Sequence, residues 1–141
     1  MFEEDGYRFM GAAFEVYNEL GYGMAEEIYQ QSLEIELSLR GITFQSKREL
    51  NVFYKDCLVD TRYKPDLVVC EAIVVELKAV SELNTEHEAQ LFNYMRIARK
   101  PVGYLLNFGR RGELEWKRFI LSELYQRGND DRRAQQPLSI H

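Results

Sequence analysis

Residues 64–80 read KPDLVVCEAIVVELKAV. Two aliphatic runs, Leu67 to Val69 and Ile73 to Val75, suit a sheet interior, and charge borders both: Asp66 before the first, Glu76 and Lys78 after the second. Side chains alternate across a strand, so Glu76 and Lys78 project to one face and Leu77 to the other. Asp66 joins them in only one register. A two-residue turn pairs Asp66 with Leu77. A three-residue turn at Cys70, Glu71 and Ala72 sets Asp66 across from Glu76, and this arrangement, or a bulge equivalent to it, is the one expected.

Directly opposed residues have Cβ atoms about 4.5 to 5.5 Å apart. Two carboxylates ~5 Å apart repel by roughly 3 kcal/mol at an effective dielectric of about 20. Three things relieve that repulsion: a proton on one acid, Lys78, or a hard divalent cation that prefers carboxylate oxygens. On a solvated strand an acid-x-lysine alternation is a surface pair worth little. Here IVVELKAV is apolar on either side, which makes the strand interior and unpaired charge costly.

Working outward, residues 5–20 place Phe9, Ala13, Val16, Tyr17 and Leu20 at helical spacing, and the glycines at 21 and 23 end that helix. A second helix is expected over 24–40, stopped by Gly41. Tyr29, Leu33 and Leu37 form one stripe on it, which Glu26 shares, while Met24, Ile28, Ile35 and Leu39 form another on nearly the opposite side. Two apolar sides predict a helix sandwiched between a sheet and the first helix. Residues 43–54 read as a strand, followed by a turn at Lys55 and Asp56 and a second strand from Leu58. The hairpin 66–69 and 73–79 comes next, then a helix over 86–99 with Leu91, Tyr94, Met95 and Ala98 inward. Strands at 102–108 and 114–120 complete an α/β domain, a mixed sheet flanked by helices in the order ααβββαββ.

At 141 residues, a single domain is expected over 1–125, and a chain of this length buries roughly 68–70% of its unfolded surface. Residues 126–141, polar and unpatterned, are expected to form a mobile tail. No apolar run approaches the ~18 residues of a membrane span, and the first residues, MFEEDGYRF, are acidic where a signal peptide is basic, so a cytoplasmic protein is expected. Cys57, Cys70, His87 and His141 make a poor zinc inventory, and the thiols read as reduced and structural. The net charge of −5 tells against gripping nucleic acid by bulk electrostatics; any polyanion must be met by local patches, Lys47 with Arg48, Arg62 with Lys64, Arg96 with Arg99 and Lys100, or Arg110 with Arg111.

The residues carry a resemblance. Pro65-Asp66, a spacer, then Glu76-x-Lys78 resembles the signature of the PD-(D/E)xK nuclease superfamily, which has a restriction-endonuclease-like core. Gly23, Glu26 and Tyr29 match the pattern of its GxxExxY branch, and Gln90 with Tyr94 matches the QxxxY motif of RecB-like members. The resemblance covers residues 9–120, including Asn107-Phe108-Gly109. It implies Asp66 and Glu76 as ligands of Mg²⁺ or Mn²⁺ with Glu26 as a further carboxylate, and Lys78 as the cation that positions or deprotonates the attacking water. It implies Gln90 as an orienting group and Tyr94 as a substrate contact. The turn residues Arg110 and Arg111 are placed to meet a phosphate backbone, or form a solvated turn.

The resulting expectation is metal-dependent hydrolysis of a phosphodiester in nucleic acid, DNA before RNA, with a homodimer or a protein partner supplying part of the surface. Alternatives stay open at this level. Gln90 and Tyr94 also read as an i,i+4 packing pair, Tyr29 as a core aromatic, Glu36 as a rival to Glu26, and His87 as either a proton carrier or a solvent-facing helix-entry residue. A nuclease-fold binding or assembly module that turns nothing over, and a structural ion-pair network centred on Lys78, are the competing readings of the whole.

Overall fold

The computed structural model describes residues 2–121; the tail expected at 126–141 lies outside them. Helix α1 spans Glu3–Leu20, with Phe9, Ala13 and Val16 buried along one side. Helix α2 spans Glu26–Leu39 and fully buries Tyr29, Leu33 and Leu37. The second apolar stripe of α2 is not sandwiched as expected: Met24, Ile28, Ile35 and Leu39 are exposed, Leu39 to 76%. The reason is lateral packing. Both helices pack into one core against the same face of the sheet, so among the described residues no further layer covers the back of α2.

Seven strands are described: β1 Phe44–Ser46, β2 Phe53–Tyr54, β3 Cys57–Leu58, β4 Leu67–Val69, β5 Ile73–Lys78, β6 Val102–Asn107 and β7 Glu115–Ile120, with helix α3 at Thr85–Ile97. The main sheet has the order β1-β4-β5-β6-β7. β5 and β6 run parallel, which requires a crossover, and α3 supplies it; the other pairs are antiparallel. Counted over this sheet and the three helices, the order is the expected ααβββαββ.

The single strand expected over 43–54 is broken. β1 stops at Ser46, Lys47 takes a φ of 50°, Leu50 bridges to Tyr63, and β2 pairs only with β3 in a separate ribbon. Leu50 and Val52 explain the break, because both are buried in the core beneath α3. The chain must therefore leave the edge of β4 and cross to the other face.

Two cores flank the sheet. Leu67, Ile73, Val75, Leu77, Tyr104 and Leu106 face α1 and α2, while Val68, Val74 and Leu105 face α3 with Leu91 and Met95. Strand alternation then decides where the charges emerge. Continuing from Val74, Glu76 and Lys78 fall on the α3 side, at the end of β5 where the aliphatic cover has run out. Among the described residues no helix is long and apolar enough to cross a membrane.

Candidate active site

The β4–β5 register sets Leu67 opposite Val75 and Val69 opposite Ile73, the pairing of a three-residue turn. Cys70 and Glu71 make that turn with φ of 51° and 65°. One residue further along, the same register brings Asp66 across from Glu76. Asp66 is held on two sides: its Oδ2 accepts the Leu77 N–H at 2.7 Å. Its carbonyl oxygen accepts from Gln30 Nε2 at 2.9 Å and from the Lys47 N–H at 3.2 Å. Gln30 is only 2% exposed, so α2 anchors the backbone of Asp66 with a buried amide.

Glu76 accepts the Tyr63 hydroxyl at Oε1, 2.8 Å away. The Tyr63 ring stacks on Tyr94 of α3 with centroids 4.3 Å apart and planes 13° apart. Burial, with the charge of Asp66 adding to it, pushes the Glu76 carboxyl up to about 7, against the Tyr63 hydroxyl and Lys78. Asp66 is also raised, by burial first, partly offset by the Leu77 N–H, Lys47 and Lys78. Glu26, at the start of α2, is raised by loss of solvent and then by Asp66, with Lys78 and Lys47 acting the other way. Three acids from separate segments thus share one electrostatic environment with Lys78.

A cleft of about 250 Å³ opens beside them. Glu76, Lys78, Tyr63, Gln90, Tyr94 and His87 line it. Arg62 and Lys64 add cationic charge to its wall. Asp66 and Glu26 are not among the lining residues. His87 enters through a capping box: Asn84 Oδ1 accepts the His87 N–H at 2.9 Å, and the Asn84 N–H donates to His87 Nδ1 at 3.2 Å. Arg110 and Arg111 lie apart from the cleft lining, and Arg110 pairs with Glu113 at 3.5 Å and Glu115 at 3.6 Å. Glu36, the rival to Glu26, is paired with Arg40 at 2.7 Å.

Three positions gain a role at the site that the sequence reading did not assign them. Tyr63 and Gln30 hold the two acids, and Asn107, fully buried, ties down the chain beyond Lys78. Asn107 Oδ1 accepts the N–H groups of Val80 at 2.9 Å and Gly109 at 3.0 Å, and its Nδ2 donates to Glu115 at 3.0 Å. A Cβ on Gly109 would collide with the Val80 backbone, so glycine is required for this approach. Phe108 stacks on Tyr29 at 4.7 Å, and the Tyr29 hydroxyl donates to the Gly21 carbonyl at 2.6 Å. Tyr29 is therefore a core aromatic that also braces the loop leading into Glu26. The signal available for Gln30 was its place one turn after Glu26, beside Tyr29.

Among the described residues no three Asp, Glu, His or Cys side chains form a closed metal cage. The donor set nevertheless fits Mg²⁺ or Mn²⁺. Carboxylate oxygens are hard donors, and Mg²⁺ keeps several waters while using one or two carboxylates together with substrate phosphate. The upward shifts of Asp66 and Glu76 are also what crowded acids show before a cation neutralises them.

An acid facing Glu-x-Lys across a hairpin, on the strand that leads into the crossover helix of a mixed sheet, defines a nuclease-type α/β domain. The chain belongs to the PD-(D/E)XK nuclease superfamily, whose sequence profile matches residues 3–119. Members of that superfamily generally use divalent metals such as Mg²⁺. Among solved structures, the crystal structure of SSO0001 is similar at 16% identity with a TM-score of 0.52, over 77% of this chain and 58% of that one. At that identity the likeness concerns the fold alone, and the chain spans little more than half the length of that protein. Comparison with characterised proteins gave no match.

Proposed function

We propose that the protein hydrolyses phosphodiester bonds in nucleic acid, DNA before RNA, with Asp66 and Glu76 holding one Mg²⁺ or Mn²⁺ and Glu26 a further carboxylate at or near it. The observation that carries this reading is the Asp66–Glu76 pairing itself, two partly desolvated acids on one sheet face beside Lys78. When bound, the cation supplies Lewis-acid polarisation of the phosphate and lowers the pKa of a water. Lys78 is a compact cation on the same face as Glu76, suited to orient that water and to offset charge developing on the phosphate. Gln90 offers an amide for orientation from the opposite wall of the cleft. Tyr94 acts on substrate and, through its stacked partner Tyr63, on Glu76. Arg110 and Arg111 serve as phosphate contacts outside the cleft.

The Gly23, Glu26, Tyr29 spacing supports a reading of the chain as a member of the GxxExxY branch, with one domain over residues 1–125 of a cytoplasmic protein as part of the same proposal. The net charge of −5 favours a second copy or a protein partner that completes the nucleic-acid surface. A second reading is a binding or assembly module of the same fold without turnover; loss of a ligand would favour it, and Asp66, Glu76 and Glu26 are all retained. Calorimetric titration of chelator-treated protein with Mn²⁺, alongside Asp66→Asn and Glu76→Gln, separates the two. Saturable binding lost in both variants supports the hydrolase and leads to cleavage assays on single-stranded, duplex and branched DNA and on RNA. Absence of binding and of cleavage in the wild type favours the module.

A further inference from the structure

A second cavity among the described residues is larger than the cleft. A groove of about 770 Å³ runs between α1 and the β6–β7 side of the sheet, on the face opposite Glu76 and Lys78. Tyr104 faces the α1 core, and its cross-strand partner is Arg118, so Trp116, two residues away, shares that face. The rings of Tyr104 and Trp116 stand 6.2 Å apart and within 19° of parallel. Phe14 meets Trp116 edge-on at 6.5 Å. Tyr7 precedes Phe14 by two helical turns on the same side of α1, about 10.5 Å away. Tyr7, Phe14 and Trp116 are all exposed, Tyr7 to 83%, a concentration of aromatic surface on one side of a small domain.

Charge surrounds these rings. Arg8, Arg40 and Arg118 line the groove against one acid, Glu3. Nη2 of Arg8 donates to the Arg40 carbonyl at 3.3 Å, which draws the two guanidinium-bearing residues together, and Arg118 lies over the Tyr104 ring at 5.9 Å. Arg40 is also paired with Glu36 at 2.7 Å, and Arg8 is exposed at the groove wall. Two glycines inside α1, each unfavourable in a helix interior, shape the wall. A Cβ on Gly6 would collide with the Tyr104 hydroxyl, and one on Gly11 would come within 3.1 Å of Arg40 Nη1.

We propose that this groove binds a nucleoside monophosphate unit, with the base against the exposed ring of Trp116, which Tyr104 backs from the core, and the phosphate toward Arg8 and Arg40. Flat aromatic rings accept any base by stacking, and guanidinium forks match phosphate oxygens. The volume lies within the range of about 300–1,000 Å³ usual for small-molecule sites. An acyl chain would make no use of the Arg8 guanidinium, and inorganic phosphate would make no use of the exposed Trp116 ring. The proposal is independent of the hydrolase reading, since the two sites lie on opposite faces of the sheet.

Trp116 is the sole tryptophan of the chain and reports on the groove directly. Adenosine 5′-monophosphate is titrated into the full chain in chelator, with Trp116 emission followed, and repeated with Arg8→Gln, an exposed position, and with Glu76→Gln. Saturable quenching is expected, weakened about tenfold in Arg8→Gln and unchanged in Glu76→Gln. Adenosine is expected to quench more weakly than the monophosphate, and ribose 5-phosphate to compete weakly. No change at millimolar nucleotide overturns the proposal, as does equal binding of adenosine or an effect lost only in Glu76→Gln. A doubled mass in ultracentrifugation with Trp116 emission shifted to the blue, without nucleotide, makes the face a self-interface and overturns it too.

Discussion

The Tyr63 hydroxyl donates to Glu76 Oε1 at 2.8 Å, and Tyr63 reaches that point with its ring clamped on Tyr94. The link joins three segments that meet only in the folded chain: the loop before β4, the end of β5, and α3. Its direction matters. The hydroxyl stabilises Glu76 as a carboxylate, while burial and Asp66 favour the protonated acid.

Replacing Tyr63 by Phe keeps the stack and removes the donor. The Glu76 carboxyl then rises above about 7, so protons compete better with a cation. Mn²⁺ affinity should fall roughly threefold to tenfold near pH 6.5 and converge with wild type at higher pH. Calorimetry at two pH values checks this, and an equal loss at both would assign Tyr63 a purely structural role.

Stability without metal should depend on pH through Glu76. A carboxyl with a raised folded-state pKa binds its proton more tightly when folded, so its contribution is full below 4.5 and is lost as pH rises through about 7. The loss is on the order of 3 kcal/mol. Chelator-treated Glu76→Gln should therefore melt at or above wild type at pH 8, and the gain should vanish near pH 4.5. A variant less stable than wild type at pH 8 would contradict the assignment.

At position 66, the amide and the methyl should behave differently. Asn keeps an acceptor for the Leu77 N–H, so Asp66→Asn in chelator should be as stable as wild type or more so, yet fail to bind Mn²⁺. Asp66→Ala orphans that N–H and should cost about 1–3 kcal/mol. Thermal melts of both variants, with and without Mn²⁺, separate the two roles of the side chain.

Lys78→Ala should retain Mn²⁺ binding and lose cleavage by at least about a hundredfold. The comparison requires a substrate found with the wild type. Loss of metal binding in this variant would instead point to Lys78 as a structural counter-ion.

Gly109→Ala forces a Cβ against the Val80 backbone and should destabilise by about 2 kcal/mol or more. Asn107→Ala leaves the Val80 and Gly109 N–H groups without their acceptor and should cost a similar amount. Urea melts measure both.

Much of the fold was legible because burial imposes a period. The alternation through residues 73–78 fixed the face shared by Glu76 and Lys78, and the inward positions Leu91 and Met95 of α3 follow from a helical repeat. The break after Ser46 was not legible, since TFQSKRELNVFY suits one strand as well as two, and only the core beneath α3 pulls Leu50 and Val52 away. The exposed stripe of α2 misled for a related reason. Apolar patterning shows what burial would favour, and the number of layers available to cover a helix is a property of the whole chain.

By itself the sequence determined the local chemistry: an acid, a second acid and a lysine spaced so that a three-residue turn would set them on one face, with Glu26 on the inner stripe of a helix. Alternation and hard-sphere turn geometry act within a few residues, which is why these features could be read directly. Only the tertiary structure decided what holds the acids and how their protons are poised. Gln30, Tyr63 and Asn107 act at separations of 36, 13 and 27 residues, and the elevation of Glu76 depends on desolvation by segments that meet only when the sheet and α3 have closed around it.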